Sequence, residues 1–293
     1  MLQKEIGPII FIQGENHGKY PFCHSIFIKD SGILIDPASG RENLQQLKDD
    51  YHVQEVWLTH WHEDHFLNID IFDDLPFCIS EPDAPPFNDI ETLIDFYGID
   101  DDHRDGWRSF FIEEVGYHPR RPSKFLEGDK TLSLDSVTVE IIKTPGHTPG
   151  HLSFFFKEPG ILLLGDYDLT KFGPWYGDLD SSIDKTIESV KQLQKIPAEI
   201  WLTSHETGFF EEAPDKLWDD YLNVIDTREQ KLLDLLKSPR KFNEIANACI
   251  IYGKAREPRI FYEFGERSHM RKHLEKLINQ GVVVRDSEYY VLL

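Results

Sequence analysis

The sequence predicts an α/β fold whose strand ends assemble one polar site, followed by a small helical C-terminal unit. Three observations predict it. Four short apolar, β-branched runs, at residues 56–59, 137–142, 161–164 and 200–203, each lead into a candidate metal ligand. Stretches of helical period lie between and after them, with Ile183, Ile187 and Val190 as one stripe and Leu217, Tyr221, Leu222 and Ile225 as another. Composition then changes near residue 224. Residues 1–224 carry 18 Lys/Arg against 42 Asp/Glu, a net −24, whereas residues 225–293 carry 13 against 10, a net +3.

The first run ends in His60-Trp61-His62-Glu63-Asp64-His65. Imidazole and carboxylate are the ligands that borderline divalent ions such as Zn²⁺ prefer, and so dense a cluster on one strand-to-helix turn has no obvious structural use. The second run leads to His147 and His151 in Thr144-Pro-Gly-His-Thr-Pro-Gly-His151, the third to Asp166, the fourth to His205. Functional groups just past strand ends are held rigidly by the sheet. Residues 55–60 read nearly as residues 199–205 do, which suggests two similar halves facing one site. The isolated histidines His17, His52 and His103 are expected to be hydrogen-bonded core residues.

The ordered set His60, His62, Asp64, His65, His147, Asp166, His205 resembles the metallo-β-lactamase superfamily over residues 1–222. The resemblance implies an αββα sandwich with metals at one edge between two sheets. It implies His60, His62 and His147 at a first metal, Asp64, His65 and His205 at a second, and Asp166 bridging both. It makes His151 a supporting residue, and has Asp36 orient a ligand. The cofactors so implied are two divalent ions, zinc first, iron or manganese as alternatives. They would share a bridging hydroxide whose parent water has its pKa lowered to about 7. Asp64 is expected to orient that hydroxide or shuttle its proton, and so counts as catalytic.

Departures narrow the activity. Phe66-Leu67-Asn68-Ile69 follows His65 where relatives often have a small, glycine-containing stretch. None of Cys23, Cys78 or Cys249 stands at a ligand position, which argues against antibiotic cleavage. His62, where flavodiiron oxygen reductases have glutamate, and the lack of a flavodoxin argue against those enzymes. Met1-Leu-Gln-Lys-Glu-Ile is no signal peptide, no apolar run suits a bilayer, and three scattered cysteines suit a reducing compartment. The expected location is cytoplasmic, with no membrane partner.

Two segments remain. Residues 81–125 form an insert, with a helix capped by Asn88 through Tyr97 and another over residues 102–115. Trp107, Phe110 and Phe111 are read as core, and the whole insert as a candidate lid. Residues 225–293 read as a winged helix: helices near 232–236, 242–250 and from 268 to Gly281, then a hairpin. The third helix is expected to expose His269, Lys272, His273 and Lys276, a modestly basic stripe. Tethered to a −24 domain, it reads more readily as structural, as a homodimer contact or as a pocket closure than as a nucleic-acid reader. Arg256, Arg259 and Arg267 offer an alternative grip on an anionic small substrate. Tyr167, Trp175 and Tyr176, close to Asp166, are candidate pocket residues.

The function expected is hydrolysis of a small thioester, ester or lactone in the manner of hydroxyacylglutathione hydrolases (glyoxalase II). The alternative is an endoribonuclease of the winged-helix type. Against nuclease readings, only 39 positions separate Asp166 from His205, too few for a β-CASP insert, and no basic exosite stands out. A mononuclear iron persulfide dioxygenase and a non-enzymatic metal sensor rank below both.

Overall fold

A computed structural model of the chain describes residues 3–293. Seven strands, β1 (Gln3–Ile6), β2 (Ile9–Ile12), β3 (Ser25–Ile28), β4 (Ile33–Ile35), β5 (Glu55–Trp57), β6 (Phe77–Ile79) and β7 (Lys124–Phe125), form one sheet in chain order. Pairing is antiparallel from β1 to β4 and parallel from β4 to β7. A second sheet contains β8 (Lys130–Leu134), β9 (Val137–Lys143), β10 (Leu152–Phe156), β11 (Ile161–Leu163), β12 (Ile200–Leu202) and β13 (Phe209–Phe210), in the order β13-β12-β11-β10-β9-β8. Only its β11–β12 pair is parallel. Side chains alternate across a strand, so each sheet has two apolar faces to cover. Phe11, Ile26, Ile35 and Trp57 of the first sheet meet Ile141, Phe154, Leu163 and Leu202 of the second.

The main helices are α1 (Arg41–Asp50), α2 (Glu63–Phe66), α3 (Ile90–Tyr97), α4 (Arg104–Ser109), α5 (Ile183–Leu193), α6 (Asp215–Leu235), α7 (Phe242–Ala246) and α8 (Arg259–Asn279). Leu44 and Leu47 of α1 cover the outer face of the first sheet. Val190 and Leu193 of α5, with Trp218 and Tyr221 of α6, cover Leu162 and Trp201 on the outer face of the second. The result is the helix–sheet–sheet–helix sandwich that the motif set implied. The internal repeat is looser than it reads. Trp57 lies between the sheets and Trp201 on the outer side, because Trp57 precedes its histidine by three residues and Trp201 by four. With a side-chain period of two, that one residue reverses the face.

Several local expectations need correction. Asp89, not Asn88, caps α3: its carboxylate accepts from Thr92 N at 2.9 Å, while Asn88 N is spent on Pro85 O in the preceding turn. Helix α6 runs unbroken through residue 224, so the compositional boundary falls inside a helix. Its first half is buried with the second sheet, and Leu232 joins the C-terminal cluster of Leu236, Ile245, Met270, Leu274 and Val283. Helix α8 starts at Arg259, nine residues before the expected start. Its apolar residues do not form one stripe because three faces are covered at once. Ile260, Phe261 and Phe264 pack on the insert, Met270 and Leu277 on the C-terminal core, and His269 and His273 on the sandwich. The basic stripe is therefore not exposed: His269 and His273 are fully buried and Lys272 is 8% accessible. The strands β14 (Arg240–Lys241), β15 (Val283–Asp286) and β16 (Tyr289–Leu292) complete the C-terminal unit, in the order β14-β16-β15. Among the described residues no helix is long and apolar enough to cross a membrane.

His17, His52 and His103 are exposed rather than core. The buried histidine that the sequence did not single out is His24. Gly14 N donates to its Nδ1 at 2.9 Å, and its ring fills the space where a Cβ on Gly18 or Gly208 would stand, both glycines having positive φ. Burial, then the neighbouring His205, lowers its pKa from 6.5 to about 4. The unfolded chain thus binds a proton at His24 that the folded chain refuses. The corresponding stability is present above pH 6.5 and is lost as pH falls toward 4, by roughly 3 kcal/mol in total. Urea unfolding of His24→Gln is expected to show a shallower loss of stability than wild type over that window. Parallel profiles would show that the ring carries no such linkage.

Candidate metal centre

Each donor sits just past the end of an apolar strand, on a loop or, for Asp64 and His65, on the short helix α2. β5 leads to His60, His62, Asp64 and His65; β9 leads to His147, β11 to Asp166 and β12 to His205. Because these strands share one end of the sandwich, donors far apart in sequence converge. His60, His62, His147 and Asp166 offer one set of atoms, and Asp64, His65 and His205 another, each within 4.8 Å. His60 Nε2, His62 Nδ1 and His147 Nε2 lie 2.9–3.1 Å from one another. Asp166 Oδ2 lies 3.3 Å from His147 Nε2 and 3.8 Å from His60 Nε2. In the other group, Asp166 Oδ1 is 2.8 Å from His65 Nε2 and 3.3 Å from His205 Nε2, with Asp64 Oδ2 3.5 Å from the latter.

The outer nitrogen of each ring shows what the inner one must be. His62 Nε2 meets the Asp178 carboxylate at 2.9 Å, and His147 Nδ1 meets Trp175 O at 3.1 Å. His65 Nδ1 meets Asp36 Oδ2 at 2.9 Å, and His205 Nδ1 meets Gly18 O at 2.7 Å and Phe22 O at 3.0 Å. Thr59 Oγ1 donates to Asp36 Oδ2, so its oxygen can accept from His60 Nδ1 at 2.9 Å. All of these partners are acceptors. In the neutral rings the outer nitrogen carries the hydrogen and the inner one a bare lone pair. Three such lone pairs about 3 Å apart repel unless a cation lies among them. His65 Nε2 and Asp166 Oδ1 point the same way: both are buried and neither has a hydrogen-bond partner despite their approach. Donors at about 2.0–2.1 Å from a tetrahedral zinc stand about 3.3–3.4 Å apart, so the donor set fits a divalent ion in each group.

The family model of the metallo-beta-lactamase superfamily matches residues 20–205, well over half of the sequence. The chain belongs to this superfamily. A hydroxyacylglutathione hydrolase of Erythrobacter litoralis is 28% identical over 183 residues, covering 60% of this chain and 59% of that enzyme. A beta-lactamase-like protein 2 homolog of Caenorhabditis elegans is 23% identical over 232 residues, covering 79% of this chain and 67% of that protein. Among solved structures, a metallo-beta-lactamase family protein of Thermus thermophilus superposes with a TM-score of 0.75 at 20% identity, over 98% of this chain and 99% of that one. The shared fold thus extends through the C-terminal unit.

Around the superfamily's donor set, burial and charge act in opposite directions. Burial and the neighbouring His65 lower His60; burial and His62 lower His147 to about 4. Burial also disfavours the charged forms of His62 and His205. Asp178 outweighs it at His62 and raises it to about 9, and Asp166 with Asp168 raises His205 to about 10. Asp168, which carried no signal in the sequence, accepts from His205 N at 2.8 Å and is lifted by burial to about 7. His151 supports rather than ligates, with Thr144 Oγ1 2.8 Å from its Nδ1 and Asp166 N donating to its Nε2. Glu63 lies inside the first motif, yet its type and position did not reveal its part. Its buried carboxylate accepts from Tyr20 at 2.7 Å and from Tyr97, whose ring stacks on His62 at 5.5 Å. Tyr97 belongs to the insert, which therefore packs against the site while Trp107 and Phe111 serve as core.

Two of the candidate pocket residues are not pocket residues. Tyr167 is fully buried and donates to Thr144 O at 2.8 Å, so it has no hydroxyl to offer a substrate. Tyr176 is fully buried against His273 Nε2 at 2.9 Å. Trp175 is half-buried, its indole donating to Asp178 Oδ1 and its carbonyl holding His147. Asp178, 31 residues beyond His147, had no sequence signal beyond being an acid near Trp175.

Proposed function

We propose that the protein is a two-metal hydrolase of small thioesters, esters or lactones. The observation that carries this reading is the pair of lone-pair clusters joined by Asp166. His60, His62 and His147 would hold one ion, Asp64, His65 and His205 the other, with one Asp166 oxygen toward each. Two divalent ions held there supply a hydroxide at neutral pH and Lewis acidity toward a carbonyl. The protein's own part is to fix the donors, orient the attacking oxygen and receive its proton. Asp64 is the residue proposed to receive that proton: it lies among the donors, with Oδ2 3.5 Å from His205 Nε2 and Oδ1 4.0 Å from His65 Nε2.

A small substrate is supported by charge and by what the C-terminal helix covers. A net −24 over residues 1–224 repels polyanions. Of the basic stripe that could have offset it, His269, Lys272 and His273 are buried, while Lys276 is half-buried and paired with Glu229. The relatives that are hydroxyacylglutathione hydrolases support a thioester. The test is a panel of glutathione thioesters, lactones and single-stranded RNA, assayed with Zn²⁺, Mn²⁺ or Fe²⁺ added after chelation. Metal-restored thioester or lactone turnover, lost in Asp64→Ala, is the expected result. RNA cleavage lost in Asp64→Ala without any ester turnover would replace this reading with the endoribonuclease.

A further inference from the structure

The segment 172–182 touches the first donor group and leaves the second alone. Asp178, 2% accessible, accepts from His62 Nε2 at 2.9 Å. Trp175 O accepts from His147 Nδ1 at 3.1 Å, and Ser181 Oγ donates to His147 O at 2.6 Å. Two of the three imidazoles of the first group thus take their orientation from this one loop. The second group is oriented elsewhere, His65 by Asp36 and His205 by Gly18 O and Phe22 O.

The same loop is gripped from behind by the C-terminal helices. Tyr176 OH and His273 Nε2 of α8 are 2.9 Å apart, and Lys272 Nζ donates to Leu179 O. The Trp175 ring meets His269 edge-on at 4.5 Å, and a Cβ on Gly177 would stand 2.7 Å from Ser268 Oγ. Arg228 of α6, buried, donates to Phe172 O, Pro174 O and Tyr176 OH. An arginine spending its donors on loop carbonyls, without a carboxylate partner among them, fixes the backbone of that loop.

We infer that the C-terminal unit is a positioning element for the first metal site, acting through residues 172–182 with Asp178 as its contact on His62. The inference rests on the two-metal reading above. Asp178 keeps the hydrogen of His62 on Nε2 and the lone pair on Nδ1, and loosening α8 frees the loop that carries it. Contacts more than one residue removed from any ligand therefore control one ion and not the other.

The test measures Zn²⁺ binding by competition with a chromophoric chelator, and the absorption of the Co²⁺-loaded protein, on the full chain. Asp178→Ala is expected to weaken one of two ions by about 10- to 100-fold. Tyr176→Phe combined with Lys272→Met, which removes contacts between the loop and α8 and none to a donor, is expected to weaken the same ion by roughly 3- to 10-fold, the scale of one or two lost hydrogen bonds. Asp36 meets His65 directly and His60 only through Thr59, so Asp36→Asn is expected to weaken the other ion more than this one. If the double variant does not fold, as judged by circular dichroism, Tyr176→Phe alone carries the test. A folded variant that binds both ions as wild type does, or loses both equally, overturns the inference. Wild type binding fewer than two ions overturns instead the two-metal reading beneath it.

Discussion

Asp166→Ala is expected to lower kcat/KM on a thioester or lactone by about 10⁴-fold or more, the several kcal/mol that metal activation of the nucleophile and carbonyl contributes. The reason is topological. Asp166 places Oδ2 3.3 Å from His147 Nε2 and Oδ1 2.8 Å from His65 Nε2, so one side chain serves both donor groups. No other carboxylate among the described residues is grouped with both. Asp168 is the nearest substitute, but it groups only with Asp166 and His205 and is engaged by His205 N. Removing any one imidazole subtracts a donor from one group, whereas removing Asp166 opens both. Metal content after exhaustive dialysis, measured beside steady-state kinetics, tests this. A folded Asp166→Ala protein that keeps two ions and near-normal turnover would show that the carboxylate bridges nothing.

The donor cluster was legible in the sequence for a physical reason: each part of it follows an apolar strand, and four of its residues share one six-residue stretch. The sheets then dictate their convergence. What orients them was not legible, because it depends on which surface each loop meets. Asp178 reaches His62 across 116 positions, and the carbonyls that hold His205 come from the N-terminal loop, whose residues carry no signal at all. Burial misled in both directions. His17, His52 and His103 lie in polar surroundings and stay exposed, while His269, Lys272 and His273 look like an exposed basic stripe. They are covered because α8 docks lengthwise on the sandwich, a tertiary fact that a helical period cannot show when three faces of one helix are buried. Tyr167 and Tyr176 sat near Asp166 in sequence, but their side chains point into packing, one to Thr144 O and the other to His273 of α8.

Chelation is expected to lower the thermal unfolding midpoint by about 15 °C or more. Ions that bind only the folded chain add about 4 kcal/mol per site when present at a thousand times their Kd. With roughly 2–4 °C per kcal/mol for a domain of this size, two sites account for the shift. The structure gives a second reason for a large effect. Without ions a proton on His62, which Asp178 favours up to about pH 9, can be given from Nδ1 to only one of His60 Nε2 and His147 Nε2. These two nitrogens stay bare 3.1 Å apart, and relief requires either protonating a second buried ring or parting the loops. Burial already disfavours a proton on His60 and His147, so the loops after β5 and β9 are the ones expected to yield. Scanning calorimetry with and without a chelator measures the shift. Re-added Zn²⁺ should restore the midpoint, and hydrogen exchange should show the opening confined first to those strand-end loops. A shift under about 2 °C, far below the linkage value, would mean that the donors are held by the fold alone and that no ion contributes to it.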